Sequence, residues 1–188
     1  MTCQSAIEPP HHNGQLSLDS TLIEKALEYQ LVGELIAKLL ARGQRCEVLH
    51  GICDRDGYDV VIEAAGIVRH IQLKSRVQGG KNGKFDIATR LADKPSGCAI
   101  LISWDRRTIR PTGFRFLGCA PGQPLDELGD KVTTHSRYNG QLTKGRRPAY
   151  RSVPIGQFDK TATLDVLVDQ LFGPAPVPAS LDGVEVMA

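Results

Sequence analysis

Residues 56–76, DGYDVVIEAAGIVRHIQLKSR, contain two runs of β-forming residues separated by a small-residue break at 65–66. Runs of this kind around a short break that includes glycine are typical of a β-hairpin. The polar residues inside the runs are unusual. Asp59 lies in the first run, and Gln72 and Lys74 alternate with apolar residues in the second. The hairpin therefore brings an acid, an amide and an ammonium group into one short structure.

The apolar pattern of the hairpin also predicts how its strands pair. We expect strands over roughly 58–64 and 67–74. A slip of one residue would bury the polar set of one strand, so the apolar residues of both strands should share a face. This register places Asp59 opposite Gln72, with Cβ atoms ~5 Å apart, and Lys74 next along the same face. A loop of two or four residues keeps this register, whereas a three-residue loop would need a bulge.

Two interpretations of the polar face stay open at this point. The first is an ordinary solvated face on which the polar residues are tolerated, and the second is a functional site. Val61 belongs to the same face as Asp59, and an apolar residue there counts against a fully solvated surface.

A long helix precedes the hairpin. The segment beginning at Thr21, TLIEKALEYQLVGELIAKLLARG, repeats apolar residues at intervals of four along its length. Thr21 and Glu24 have the spacing of a capping box, and Gly43 predicts the C-terminal end. Because apolar residues cover more than half of its circumference, we expect this helix to lie against a sheet.

The remaining segments predict an α/β domain with a mixed sheet. Residues 98–104, CAILISW, form a continuous apolar run that is typical of a strand covered on both faces. Shorter strands are expected within 45–52 and 113–119, a closing helix over 161–173, a flexible Gly-rich basic loop near 77–85, and an irregular basic segment over 129–157. The domain should span 19–173, between a flexible N-terminal lead-in (1–18) and a Pro-rich flexible tail (174–188).

Composition excludes several classes of protein. With 41% hydrophobic and 23% charged residues among 188, the chain has the composition of a globular domain, and its net charge of +2 does not by itself indicate nucleic-acid binding. The five cysteines are widely spaced and form no CxxC, which argues against a disulfide framework or a regular zinc site. We expect a cytoplasmic protein with no membrane span and no secretory signal. The motifs GxGxxG, GxSxG and HExxH and the P-loop are absent.

The hairpin residues resemble the PD-(D/E)XK nuclease superfamily. An acid in one strand, Asp59, is followed in the next strand by Gln72-Leu73-Lys74, which is similar to the QxK variant of the motif. Such nucleases also place a glutamate on the preceding helix, where this chain has Glu34. The resemblance covers roughly 30–104 and implies a restriction-endonuclease-like fold, with a mixed β-sheet flanked by helices.

The resemblance also implies a chemistry, which is Mg²⁺- or Mn²⁺-dependent hydrolysis of phosphodiesters by an endonuclease. Asp59, the amide oxygen of Gln72, the carbonyl of Leu73 and Glu34 would hold the metal ion. Lys74 would stabilise charge on the phosphoryl oxygens or orient the attacking water. Glutamine in place of a carboxylate removes one negative charge, so metal affinity should be modest unless another acid contributes. The candidates for that contribution are Asp54, Asp56 and Glu63.

The identity of the helix glutamate is open between two residues. Glu34 lies within the apolar stripe on a helical wheel, where a carboxylate is unusual without a partner. Glu28 also lies in an apolar arc, near Leu35 and Leu39, and is the alternative. We favour Glu34 because glycines flank it in Gly33-Glu34…Gly43.

Basic residues in two clusters would provide the surface for nucleic acid. They are Arg76, Lys81 and Lys84 after the second hairpin strand, and Arg137, Lys144, Arg146, Arg147 and Arg151 in the later segment. The later cluster is free of acids and includes Tyr138 and Tyr150, a mixture that suits phosphate contacts with base stacking. Taken alone, the later cluster could equally be a solvated basic loop. DNA is the expected partner, and homodimerisation stays open.

Two other functions stay open beside the nuclease. The chain could be a nucleic-acid-binding module on the same fold that has lost turnover. It could also be a protein-interaction domain whose basic segment meets an acidic partner.

Overall fold

The computed structural model describes residues 19–51, 56–134 and 145–175. The expected lead-in and most of the expected tail therefore lie outside the described residues. The helices are α1 (Ser20–Ala41) and α2 (Leu164–Phe172), and two short 3-10 helices cover Thr89–Leu91 and Ile155–Gln157. The strands are β1 (Cys46–His50), β2 (Val60–Ala64), β3 (Ile67–Val77), β4 (Lys84–Ala88), β5 (Gly97–Asp105), β6 (Arg110–Gly118), β7 (Val132–Thr134), β8 (Arg146–Pro154) and β9 (Asp159–Thr161).

The strands form two sheets. The larger has six strands in the order β1-β2-β3-β5-β6-β9, and the smaller has three in the order β4-β8-β7. Within the larger sheet β3 and β5 are parallel and the other neighbours are antiparallel, so the sheet is mixed. This confirms the predicted α/β class with a mixed sheet.

The large sheet is covered differently on its two faces. Both helices pack on one face, where their apolar residues join those of β2, β3 and β5 in the main core. The small sheet covers the other face, with Phe85, Ile87 and Val153 against Ala99 and Leu101 of β5. The arrangement is therefore helices, six-stranded sheet, three-stranded sheet.

The hairpin has the predicted register. Val60 pairs with Ile71 and Ala64 with Ile67, which leaves a two-residue turn. Ala65 and Gly66 in that turn have φ values of +53° and +75°. Two consecutive positive φ angles give the turn a twist that matches the twist of the strands. The register predicted from the apolar pattern is therefore confirmed.

The first helix has the expected length, but it begins differently. Asp19 precedes its first residue, and no side chain accepts a hydrogen bond there, so the predicted capping box of Thr21 and Glu24 is wrong. Glu24 is exposed and lines a cavity instead. The C-terminal end is confirmed, since Gly43 has a φ of +70° and donates its N–H to Leu40.

Two segments predicted as loops contain strands. The Gly-rich loop is shorter than expected, because β3 continues to Val77 and β4 begins at Lys84. The segment 129–157, predicted to be irregular, contains β7 and β8. The strands were not predicted because the segment contains many charged residues. β8 buries only Val153 fully, and its other side chains are partly or wholly exposed. Its apolar alternation is correspondingly weak.

The apolar run at 98–104 is confirmed as the central strand β5, covered by the helices on one face and by the small sheet on the other. Cys98 has no exposed surface there, and burial raises the pKa of its thiol to about 12. It therefore behaves as a small apolar residue, as expected.

Between the helix layer and the sheet lies a fully buried arginine. Arg69 of β3 is 0% exposed, and its Nε donates to the carbonyl of Leu171 at 2.7 Å. Its Nη2 donates to the carbonyls of Gln170 at 2.8 Å and Cys119 at 3.1 Å. The guanidinium thus satisfies the last carbonyls of α2, where the helix dipole favours a positive charge. Burial lowers the pKa of Arg69.

Among the parts of the chain that the structure describes, neither helix combines the length and apolar character that crossing a bilayer requires.

Replacing Arg69 by alanine should destabilise the domain strongly. The change leaves three buried carbonyls without a donor and opens a cavity beside Phe116, so we expect a loss of about 3–5 kcal/mol in the free energy of unfolding. Urea denaturation followed by circular dichroism measures it. Arg107→Ala, at an exposed position, is the control and should change stability by less than about 0.5 kcal/mol. Equal stability of the two variants would contradict this structural role.

Candidate active site

A cavity of about 460 Å³ opens where β3 runs on beyond the start of β2. The first two turns of α1 line one wall, β3 lines the floor, and β4 with the turn before it lines the other wall. Its charged and amide side chains are Glu24, Lys25, Glu28, Asp59, Gln72, Lys74, Asn82, Lys84 and Asp86. The cavity therefore combines the hairpin residues singled out by sequence with groups from the helix and the small sheet.

Asp59 is held at the floor of this cavity. Its backbone N–H donates at 2.9 Å to the carbonyl of Ile71, the residue that also pairs with Val60 at the end of the hairpin. Its Oδ2 accepts the backbone N–H of Leu73 at 2.6 Å. Asp59 therefore lies just before the paired part of the hairpin, which ends at Val60 and Ile71, and its carboxylate is fixed to the strand that carries Gln72 and Lys74.

Gln72 is 2% exposed, so the interpretation of this face as solvated is wrong for this residue. Its Oε1 accepts the backbone N–H of Ala88 at 3.1 Å, which joins the large sheet to β4. A carbonyl oxygen has two lone pairs, and this bond uses one of them. Gln72 therefore has a clear structural task as well as a position in the cavity lining.

Glu28, and not Glu34, is the helix carboxylate at the cavity. Glu28 is 5% exposed and lines the cavity, whereas Glu34 is exposed and lies outside its lining. The preference for Glu34 is corrected for a geometric reason. Six residues of α-helix correspond to about 600°, which turns Glu34 well away from the face of Glu28. The neighbouring glycines carry no information about helix faces.

The buried carboxylate of Glu28 has two partners. The ammonium of Lys25 lies 2.8 Å from Oε2 and 3.0 Å from Oε1. His50 Nδ1 lies 3.0 Å from Oε1, and its ring packs edge-on against Tyr29. Glu28 raises the pKa of Lys25 through this hydrogen bond, and the charges of Glu28 and Asp59 act in the same direction against desolvation. Lys25 was not predicted as a site residue, although its spacing of three residues from Glu28 is typical of an ion pair on a helix.

Lys74 is half-buried and lines the cavity two residues after Gln72 on the same strand face. Within residues 19–51, 56–134 and 145–175, no hydrogen bond or ion pair holds its ammonium. The group is therefore available to an anion that enters the cavity.

Asp86 of β4 completes the opposite wall. Its Oδ1 accepts from the hydroxyl of Thr133 at 3.0 Å, and Arg147 Nη1 lies 3.4 Å from Oδ2. The same arginine stacks on Tyr150 with 3.9 Å between Cζ and the ring centroid. Asp86 was not predicted as a site residue, because it follows the predicted loop at 77–85 and no strand was predicted there.

The other acids considered from sequence do not reach the cavity. Asp56 forms ion pairs with Arg90 and Lys94, Glu63 is exposed on the β1–β2 pair, and Asp54 lies outside the described residues. In the described ranges, no three His, Cys, Asp or Glu side chains form a group that could hold a metal ion. A metal site here would therefore use one or two carboxylates.

The predicted nucleic-acid residues are divided between several places. Lys84 lines the cavity, Arg76 Nη1 donates to the carbonyl of Asn82 at 3.4 Å, and Lys81 is exposed nearby. Of the later cluster, Arg146, Arg147 and Arg151 lie on β8, while Arg137 and Lys144 lie outside the described residues.

One further basic residue next to the cavity was not predicted. Lys131 lies beside Lys84, whose ammonium lowers the pKa of Lys131. The two like charges form an exposed cationic edge.

Comparison with known proteins gives little. No known protein family matches the sequence, and no curated protein matches it. Among solved structures, the bacterial homing endonuclease I-Ssp6803I matches with a TM-score of 0.25 and 22% identity. The match covers 49% of this chain and 60% of that protein, so it spans less than two thirds of the endonuclease.

Proposed function

We propose that this protein is a metal-dependent nuclease that hydrolyses phosphodiester bonds, with DNA as the expected substrate. The observation that carries the proposal is the cavity itself. Two carboxylates, Glu28 and Asp59, and an amide, Gln72, line the same 460 Å³ space as Lys74, whose ammonium has no partner in the part of the chain that the structure describes. These side chains come from α1, from β3 and from the residue before β2, and hydrolysis of a phosphodiester uses this combination of oxygen ligands and a cation.

The donor set suits Mg²⁺ or Mn²⁺. Mg²⁺ keeps several of its waters and is usually held by one or two carboxylates together with substrate phosphates. Asp59 and Glu28 would supply the carboxylates, with the carbonyl of Leu73 and the second lone pair of Gln72 Oε1 as further oxygens. When bound, the ion would polarise a phosphoryl oxygen and lower the pKa of a bound water.

The residues of the chain contribute positioning and charge. The hydrogen bond from Leu73 N–H fixes the orientation of the Asp59 carboxylate. The half-buried Lys74 would stabilise negative charge that builds up on the phosphoryl oxygens or orient the attacking water. Burial of Glu28 strengthens any electrostatic interaction at that carboxylate relative to bulk water.

The positive charges at the cavity edge would favour the binding of a polyanion. Lys84 and Lys131 repel each other, and a phosphate between them would relieve that repulsion. Lys81 after β3 adds to this positive charge, while Arg146 and Arg151 on β8 are candidate phosphate contacts farther along the surface. Because base stacking accompanies phosphate contacts in many such surfaces, Tyr150 is a candidate contact as well.

Asp59→Asn and Lys74→Met should each abolish most Mg²⁺-dependent cleavage while leaving the fold intact. Removal of one charged group that acts on the transition state typically lowers kcat by roughly 10²–10³-fold. Cleavage of labelled plasmid and of short DNA duplexes measures it. Asp93→Asn and Lys160→Met, both exposed and outside the cavity lining, are matched controls that should cleave like wild type. Full activity in the Asp59 and Lys74 variants would remove the assignment.

Glu28→Gln and Glu34→Gln separate the two helix glutamates. If Glu28 is the ligand, its amide variant should need a higher Mg²⁺ concentration and lose roughly 10-fold or more in cleavage rate. Glu34→Gln changes an exposed residue of the same helix and should keep wild-type behaviour. A Mg²⁺ titration of the cleavage rate for both proteins measures this, and the opposite order would restore the original preference for Glu34.

The cationic edge can be tested without cleavage. Each lysine that contacts a DNA phosphate should contribute about 0.9 to the slope of log K against log salt. Lys84→Ala and Lys131→Ala should therefore each reduce the slope by about 0.9, measured by fluorescence anisotropy in Ca²⁺ or EDTA. Lys160→Ala on the opposite edge strand β9 should leave the slope unchanged. An unchanged slope in all three would count against a groove at this cavity.

The alternative is a nucleic-acid-binding module on the same fold without turnover. Two observations favour it over other rivals. No group of three acids, histidines or cysteines able to hold a metal ion exists in the described residues, and Gln72 Oε1 already accepts a backbone hydrogen bond. This alternative predicts salt-sensitive DNA binding with no cleavage of duplex, branched or single-stranded substrates in Mg²⁺ or Mn²⁺.

A further inference from the structure

The ammonium of Lys25 lies against Glu28, a carboxylate that would have to be free in order to bind a metal ion. It contacts both oxygens of Glu28, at 2.8 and 3.0 Å, and lines the same cavity as Asp59. The second partner of Glu28, His50, contacts only Oε1. Lys25 therefore contacts both carboxylate oxygens of Glu28, which is more buried than Asp59.

We propose that Lys25 is a resident cation of this site, which occupies Glu28 in the metal-free protein and must leave it before a divalent cation can bind. The inference rests on the proposed function, because it treats Glu28 and Asp59 as cation ligands. It goes beyond that function by naming the group that competes with the metal. Lys25 acts on the reaction only through the ligand set.

The burial of the two partners shows which of them can move. The side chain of Lys25 is 48% exposed, whereas that of Glu28 is 6% exposed. A lysine has a flexible four-carbon stem, and its ammonium can exchange a carboxylate for water at small free-energy change when it is partly exposed. Glu28 stays in place through burial and His50. Release of Lys25 would thus open the carboxylate without refolding the helix.

An ordinary helical ion pair is the competing explanation. Pairs three residues apart stabilise a helix slightly, and a pair with only that role would have no effect on cation binding. The same helix supplies a matched control, because Lys38 pairs with Asp165 of α2 at 2.7 Å, outside the cavity lining. Lys25 and Lys38 are therefore two paired lysines on one helix, of which only Lys25 lies at the proposed site.

The experiment is a titration of the full chain with Mn²⁺, without nucleic acid and at fixed ionic strength. Calorimetry and the loss of the free Mn²⁺ signal in electron paramagnetic resonance report binding. Lys25→Met should bind Mn²⁺ roughly five- to tenfold more tightly than wild type, since a competing charge is removed. Lys25→Arg keeps the charge and should retain wild-type affinity, and Lys38→Met should do the same. In Lys25→Met combined with Glu28→Gln, the gain should disappear.

The outcomes separate the inference from the proposed function. If wild type and Lys25→Met bind Mn²⁺ equally at a site that Asp59→Asn abolishes, the resident-cation inference is overturned and the metal-dependent function stands. An equal gain in Lys38→Met overturns it too, because the effect would then be a general one of net charge. If no variant binds Mn²⁺ at millimolar concentration without nucleic acid, the resident-cation inference fails, and the metal-dependent function is then decided by the cleavage assays alone.

Discussion

The hydrogen bond between Leu73 N–H and the carboxylate of Asp59, 2.6 Å long, is the contact from which the candidate site is built. It forms where β2 has not yet begun and β3 is already in place, so that the carboxylate takes a position that a paired strand would otherwise fill. A change of register by one residue would turn the polar side chains of one strand, and so either Asp59 or Gln72, to the helix side of the sheet. The apolar residues Val60, Ile62 and Ile71, each at most 1% exposed, prevent that change. The site thus depends on the packing of the opposite face.

Two buried charged side chains, Arg69 and Glu28, have partners of different kinds. Arg69 is fully buried and has three backbone carbonyls as acceptors, so it joins β3 to the end of α2 without a carboxylate. Glu28 is buried near the other end of the helix layer with an ammonium and an imidazole. The first is a structural arrangement, because its partners are immobile backbone groups. The second uses side chains that can exchange partners, which is what a binding site requires.

The sequence predicts the hairpin and the central strand clearly, but it gives only a weak signal for the small sheet. The alternation in 60–64 and in 70–74 and the apolar run at 98–104 are strong signals because one face of the hairpin strands, and both faces of the central strand, are buried. β8 covers the sheet with Val153 as its only fully buried residue, so its periodicity disappears among charged residues. The error over Glu34 has another cause. A helix that is apolar on most sides gives no sharp boundary between its faces, and only the neighbouring strands decide which glutamate meets Asp59.

The charges around the cavity explain why a divalent cation and a phosphodiester would favour each other there. Four carboxylates and three ammonium groups line it: Glu24, Glu28, Asp59, Asp86, Lys25, Lys74 and Lys84. Arg147 pairs with Asp86, so the formal charges balance in the metal-free protein. A bound divalent cation would leave an excess of two positive charges, which the phosphates of a nucleic acid would neutralise. A phosphate would likewise offer Lys25 a new partner when it leaves Glu28. In the proposed nuclease, substrate and metal would therefore bind cooperatively, because each compensates the charge that the other brings.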